Sequence, residues 1–96
     1  MLTGKQKRYL RGLGHHLDPV IMIGKGEISE AVAEETRQSL AAHELVKVKL
    51  LESCTLDRNG AAAELAALCD AEVAQILGRT ILLYKRGDKP KIELPR

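Results

Sequence analysis

Apolar residues recur at two spacings along this 96-residue chain, and each change of spacing marks a new element. Thr3 with Gln6 three residues later has the form of a capping box, which opens a helix. Leu10, Leu13 and Leu17 follow at helical spacing and are expected to face the core. Lys7, Arg8 and Arg11 then occupy another side as a cationic stripe. Gly12 and Gly14 weaken the helix near its end, and Asp18-Pro19 breaks it. Val20-Ile21-Met22-Ile23 is a continuous apolar run that predicts a buried strand. It leads into a loop, Gly24-Lys25-Gly26-Glu27. Ser29 is placed to cap a second helix over Glu30 to Ala42, with Ile28, Val32 and Leu40 inward and Glu34, Glu35 and Arg37 in water.

Val46, Val48 and Leu50 alternate with Lys47 and Lys49, the period of a strand with one wet face. Asp57-Arg58-Asn59-Gly60 is turn-like and leads into an alanine-rich helix through Ala71, with Leu65 and Leu68 buried. Val73 to Leu77 and Thr80 to Tyr84 read as strands joined by Gly78-Arg79, a hairpin of the Gly-X type. Residues 85–96 form a basic tail in which Pro90 and Pro95 prevent a helix. The order α-β-α-β-α-β-β predicts a compact single α/β domain, a four-stranded mixed sheet with helices packed on it. No internal repeat or linker is visible, and 96 residues leave no room for a second core.

Composition narrows the function. Phe and Trp are absent and only Tyr9 and Tyr84 are aromatic, so the core is aliphatic. Proteins that read single-stranded bases by stacking carry several aromatics on one sheet face. This chain lacks them, so binding to nucleic acid would rest on phosphates, sugars and shape. The net charge of +2 conceals a segregated distribution: residues 1–26 carry five bases against Asp18, residues 27–72 four bases against ten acids, and residues 73–96 six bases against Asp88 and Glu93. Basic ends around an acidic middle form one positive face if the fold brings the termini together. The same pattern also suits two ordinary solvated charge runs.

Cys54 and Cys69 sit in no metal-binding spacing, and Cys69 reads as a small core residue. With no secretory signal and no membrane-length apolar run, the expectation is a cytoplasmic protein with reduced thiols, no metal and no cofactor. His15, His16, His43 and Glu44 lie in no catalytic motif, and no Ser or Cys has a nucleophile context. The expectation is therefore no enzyme activity, with His15 and His16 adding to the basic surface and His43-Glu44 closing a helix. The Gly24-Lys25-Gly26 turn allows close backbone approach to an anion at a helix start, with a lysine at its tip. It lacks the spacing of a Walker loop or a dinucleotide fingerprint. By itself it serves either strand-to-helix geometry or phosphate binding, and Glu27 and Glu30 oppose the latter.

Several stretches together resemble one family. Thr3-Gly4-Lys5-Gln6-Lys7, Arg11-Gly12-Leu13, Pro19-Val20 through Ile23-Gly24, His43-Glu44-Leu45-Val46-Lys47-Val48, Ile76-Leu77-Gly78-Arg79-Thr80 with Leu83-Tyr84, and the closing Lys91-Ile92-Glu93-Leu94-Pro95-Arg96 are similar, in order, to the YhbY-like or CRM-domain proteins. The resemblance implies a fold like the C-terminal domain of bacterial translation initiation factor three. It further implies a stand-alone bacterial member that binds ribosomal RNA and associates with precursors of the large ribosomal subunit. The family's RNA-contacting loop is a GxxG turn. Carried over, Gly24 is its first glycine and Lys25 and Gly26 its central pair, while Glu27 stands where the last glycine is expected.

The expected function is RNA binding without bond chemistry. Gly24, Lys25 and Gly26 form the loop contact, Lys5, Lys7, Arg8, Arg11, Lys47 and Lys49 the wider basic surface, and Arg79, Lys85 and Arg86 join if the tail folds alongside. The expected partner is structured RNA, ribosomal RNA of large-subunit precursors, bound by a monomer without DNA sequence specificity or membrane association. The rival reading is a protein-interaction adaptor that works through the acidic face of Glu30, Glu34 and Glu35.

Overall fold

A computed structural model describes residues 1–25 and 28–96. The elements run α1 (Gly4–Gly14), β1 (Ile21–Ile23), α2 (Glu30–His43), β2 (Leu45–Leu50), α3 (Arg58–Cys69), β3 (Glu72–Leu77) and β4 (Thr80–Tyr84). The strands form one sheet in the order β1-β2-β4-β3. β1 lies parallel to β2 and the other pairs are antiparallel, so the sheet is mixed, as the element order predicts.

Each element begins where local chemistry places it. Thr3 Oγ1 accepts from the Gln6 amide at 3.1 Å while the Gln6 side chain accepts from the Thr3 amide at 3.0 Å, completing the capping box. Ser29 caps α2 through the Val32 amide, and Asp57 caps α3 through the Gly60 amide. Gly78 takes φ 58° while Arg79 stays out of the left-handed region, as a II′ hairpin requires. α3 stops at Cys69 on a left-handed Asp70, two residues earlier than the alanine run predicts.

The sheet is covered unequally. On one face Ile21, Ile23, Val46, Val48, Leu50, Ile81 and Leu83 pack against Leu40 of α2 and Ala61, Ala62, Leu65 and Cys69 of α3. On the other, Leu45, Ala74, Leu82 and Tyr84 pack against Leu2 and, from α1, Leu10, with Ile92 and Leu94 of the tail. One short helix and a tail cannot cover that face. Several residues expected inside are accordingly exposed: Val20 by 56 % and Met22 by 54 %, with Leu13 and Leu17 each at 37 %. The continuous apolar run is therefore no buried strand but an edge strand, with Ile21 and Ile23 inward and Met22 outward. Leu68 is likewise exposed, on the outer side of α3.

α1 lies close to the sheet at one point. A Cβ built on Gly14 would come within 2.7 Å of the Leu82 side chain, whereas Gly12 has open space around it. The two glycines therefore differ in kind, one a packing requirement and the other only a loss of helix propensity.

One buried group gathers much of the C-terminal tail. Glu44, 2 % exposed, closes α2 with φ 64°, a left-handed conformation unfavourable for any residue with a Cβ. Its carboxylate accepts from the backbone amides of Gly87 and Lys91, each at 2.7 Å, and of Ile92 at 2.9 Å. A Cβ on Gly87 would lie 3.1 Å from that carboxylate, so glycine permits the approach. Lys91 Nζ also reaches the Ala42 carbonyl at 3.0 Å, and Gln6 Nε2 donates to the Pro95 carbonyl at 3.1 Å. The basic tail is thus an ordered strap that joins the two termini.

Burial alone raises the Glu44 pKa, but the amides of Gly87, Ile92 and Lys91, aided by the Lys91 charge, outweigh it and hold the carboxyl below its ordinary value. A depressed carboxyl stabilises the fold fully above the ordinary glutamate pKa, and that contribution is lost as pH falls through the depressed value. Glu44→Gln is expected to lose about 1.5–3 kcal/mol at neutral pH, and the gap from wild type narrows in acid; urea melts across pH check both. In the same assay Gly12→Ala stabilises by about 0.5–1 kcal/mol, whereas Gly14→Ala destabilises by about 1–2 kcal/mol through overpacking on Leu82.

Candidate nucleic-acid interface

Residues alternate across a strand, so Lys47 and Lys49 share the face of Leu45, the side that carries α1. α1 buries Leu10 and turns Lys5, Lys7, Arg8 and Arg11 to solvent. Its last turn brings Arg11 and His15 beside Lys47, where they line a cleft of about 90 Å³ with Gln75, Leu77 and Thr80. Lys49 continues the surface, paired across β2 with Thr80 on one side and Met22 on the other. Arg11 of the helix and Lys47 of the strand, distant in sequence, thereby meet at one cleft. Among the described residues, none of Lys5, Lys7, Arg8, Arg11, Lys47 and Lys49 has a carboxylate within 4.0 Å. Unpaired cations that share a face produce a field suited to a polyanion.

Gly24 follows β1 at the end of the sheet where Ile23 pairs with Leu50. It lies against the loop after β2, with Ser53 Oγ 3.4 Å from the position of a Cβ, and Lys25 beyond it is exposed. Gly26 and Glu27, the remaining residues of the expected GxxG turn, lie outside the described residues.

Arg79 sits at this same end but is held by its own chain. Its Nε donates to the Leu50 carbonyl at 3.0 Å, and its Nη2 reaches the carbonyls of Leu51 and Cys54. Arg58, which the sequence reading left out of the site, braces the same end by donating to the Gly78 carbonyl at 3.1 Å. Lys85 and Arg86 are elsewhere. They follow Tyr84, which pairs with Leu45 at the start of β2, and a six-residue strand separates its ends by roughly 17 Å. Lys85 Nζ turns to the Cys69 carbonyl at 3.3 Å and lies 3.9 Å from Asp70. Lys85 and Arg86 thus lie at the Tyr84 end of the sheet, where Arg86 lines a cavity with Leu2 and Gln6 beside the start of α1, while Arg11, Lys47 and Lys49 gather toward the other end.

The acidic face is partly neutralised. Arg37 bridges Glu30 at 2.8 Å and Glu34 at 2.9 Å and also donates to the Leu68 carbonyl, so it ties α2 to α3. Of the three acids in the adaptor reading, only Glu35 has no such partner among the described residues. The His15 and His16 rings meet edge to face at 5.4 Å, and among the described residues no group of three His, Cys, Asp or Glu side chains could hold a metal ion. Cys54 and Cys69 are buried free thiols, and burial pushes the Cys69 thiol up. No helix among the described residues is long and apolar enough to cross a membrane.

Architecture and charge thus define a small α/β domain with a cationic helix laid on one face of a mixed sheet. The chain belongs to the CRS1/YhbY (CRM) domain family, whose model matches residues 2–85. It is 43 % identical over 96 residues to the probable RNA-binding protein YqeI of Bacillus subtilis, with 99 % of this chain and 100 % of the relative covered. An RNA-binding protein of Haemophilus influenzae is 36 % identical over 95 residues, covering 99 % and 96 % of the two chains. Among solved structures it is similar to a Staphylococcus aureus protein described as a candidate RNA-binding protein. That match has a TM-score of 0.85 and 41 % identity and covers 99 % of this chain and 100 % of the other.

The carbonyl contacts give Arg79 a structural role. Arg79→Ala is expected to lower stability by about 1.5–3 kcal/mol, the range for hydrogen bonds to a charged group. Thermal denaturation of the variant beside an Arg8→Ala control, which breaks no side-chain hydrogen bond or ion pair among the described residues, measures the difference.

Proposed function

We propose that this protein binds structured RNA through the face built by α1 and β2, with Lys25 contributing from the loop after β1. The observation that carries the reading is the meeting of Arg11 of α1 with Lys47 of β2 at one cleft, with Lys5, Lys7 and Arg8 exposed along the helix, Lys49 on the same sheet face as Lys47, and no carboxylate partner for any of them among the described residues. Solvated cations of this kind release counterions when they meet phosphates, which is the main source of affinity in such complexes. The scarcity of aromatic residues favours contact with backbone and shape over stacking on a sheet face. Membership of the CRM-domain family and the names of the relatives support RNA over other polyanions.

The target we favour is ribosomal RNA in precursors of the large subunit, bound in the cytoplasm by a monomer that chaperones or holds a place during assembly. No bond chemistry is assigned to it, and no DNA sequence specificity is expected. Lys85 serves the end of α3 more than the RNA face, through the Cys69 carbonyl and Asp70. Gly24 leads into the loop, and Lys25 contributes by its charge.

Affinity for a structured ribosomal RNA fragment is expected to fall steeply with salt, and each of Arg11→Gln, Lys47→Gln and Lys49→Gln is expected to reduce the log–log salt slope by about 1. Lys85→Gln is expected to leave it unchanged. If a Lys25→Glu plus Arg8→Glu variant binds as tightly as wild type, the face is misassigned.

A further inference from the structure

An apolar groove opens beside the cationic face, on the other side of α1 from the Arg11 cleft. Its volume is about 460 Å³, and its walls include Leu13 and Leu17 after the helix midpoint, Val20 at the start of β1, and Ile92 of the strap. His43, Lys47 and Asp18 add polar groups at these walls. The size is within the range of small-ligand clefts, roughly 300–1,000 Å³. Leu13, Leu17 and Val20 are each more than a third exposed, so the groove leaves apolar surface in water.

We propose that this groove receives one unstacked nucleobase of the RNA, a proposal that rests on the RNA-binding reading above. Three observations select that occupant. Lys47 lines both the groove and the Arg11 cleft, so a backbone that lies along the cationic face passes the groove mouth. Asp18 would repel a phosphate there, yet a carboxylate accepts readily from the N–H groups on a base edge. A second copy of the chain is disfavoured, because docking this face on itself would oppose two unpaired sets of α1 and β2 cations. Where other RNA binders present aromatic rings, this protein offers an aliphatic slot walled by leucine, valine and isoleucine. Bases inside a continuous A-form helix cannot reach such a slot, so the groove selects RNA with a bulge or loop. The strap held by Glu44 supplies one wall, which links the buried carboxylate to the site.

The test compares a fully paired RNA duplex with the same duplex carrying one unpaired adenosine. Wild type is expected to prefer the bulged RNA, and Leu17→Ser plus Val20→Ser is expected to lose that preference by roughly 5- to 100-fold, the range for losing the apolar surface that one or two such side chains bury. Both positions are exposed, and a thermal melt confirms that the variant folds. Its salt slope is expected to stay at the wild-type value because no cation is removed, which separates the groove from the phosphate contacts. In wild type, nuclear Overhauser contacts from the methyls of Leu13, Leu17 or Val20 to base protons give an independent readout. Retained preference in the variant, or absence of those contacts in a bound wild-type complex, overturns the groove and leaves the RNA face standing. If wild type binds neither RNA, the RNA reading itself fails. Self-association of wild type that the variant abolishes would assign the groove to a protein interface and overturn the proposal.

Discussion

The arrangement of this domain depends on one buried carboxylate. Glu44 sits at the junction of α2 and β2, in a backbone conformation that glycine would adopt more easily. Its side chain compensates for that strain by accepting three amides from the C-terminal strap. A charged acceptor with several backbone donors is among the stronger hydrogen-bonded groups a protein can bury. Through it the strap lies over the sheet, Ile92 and Leu94 cover part of the second core, and Gln6 of α1 meets Pro95. The two basic ends of the sequence are neighbours because of this contact.

The second face of the sheet follows from the same economy of cover. A helix of 11 residues spans roughly 16 Å and leaves the β1 flank open. The open flank carries Met22, Val20, Lys47 and Lys49, and α1 adds Arg11 and His15 on its other side. An incompletely covered sheet face rimmed by cations costs solubility little, because the charges keep apolar patches small. It also leaves a surface on which phosphate contacts and apolar contacts lie side by side. On the side packed by α2 and α3, two of the surface acids, Glu30 and Glu34, are bridged by Arg37.

Much of the fold was legible in the chain. Helix caps at Thr3 and Ser29, the hairpin glycine at 78 and the alternation of β2 are local signals, and each appears where its residues predict. Leu13, Leu17, Val20 and Met22 were misplaced for a common reason. Hydrophobic periodicity reports which side of an element is apolar but not whether another element is available to cover it. The cationic stripe of α1 and the lysines of β2 were visible as charges, yet only the sheet order shows that they meet. Lys85 and Arg86 carry the same charge but stand at the other end of the strands. Arg79 has it too, turned inward on carbonyls. Glu44 left little trace, since its role needs amides more than 40 positions away and a helix-end glutamate is ordinarily a solvated residue.

Chemical-shift mapping of the isotope-labelled protein with a structured ribosomal RNA fragment tests the central claim most directly. The account predicts perturbations concentrated on α1 and β2, at Arg8, Arg11, Lys47 and Lys49, extending to Lys25 and to the Leu17–Val20 flank. Perturbations confined to Glu34 and Glu35 of α2 or to the Lys85–Asp88 corner, with α1 and β2 unmoved, would contradict it.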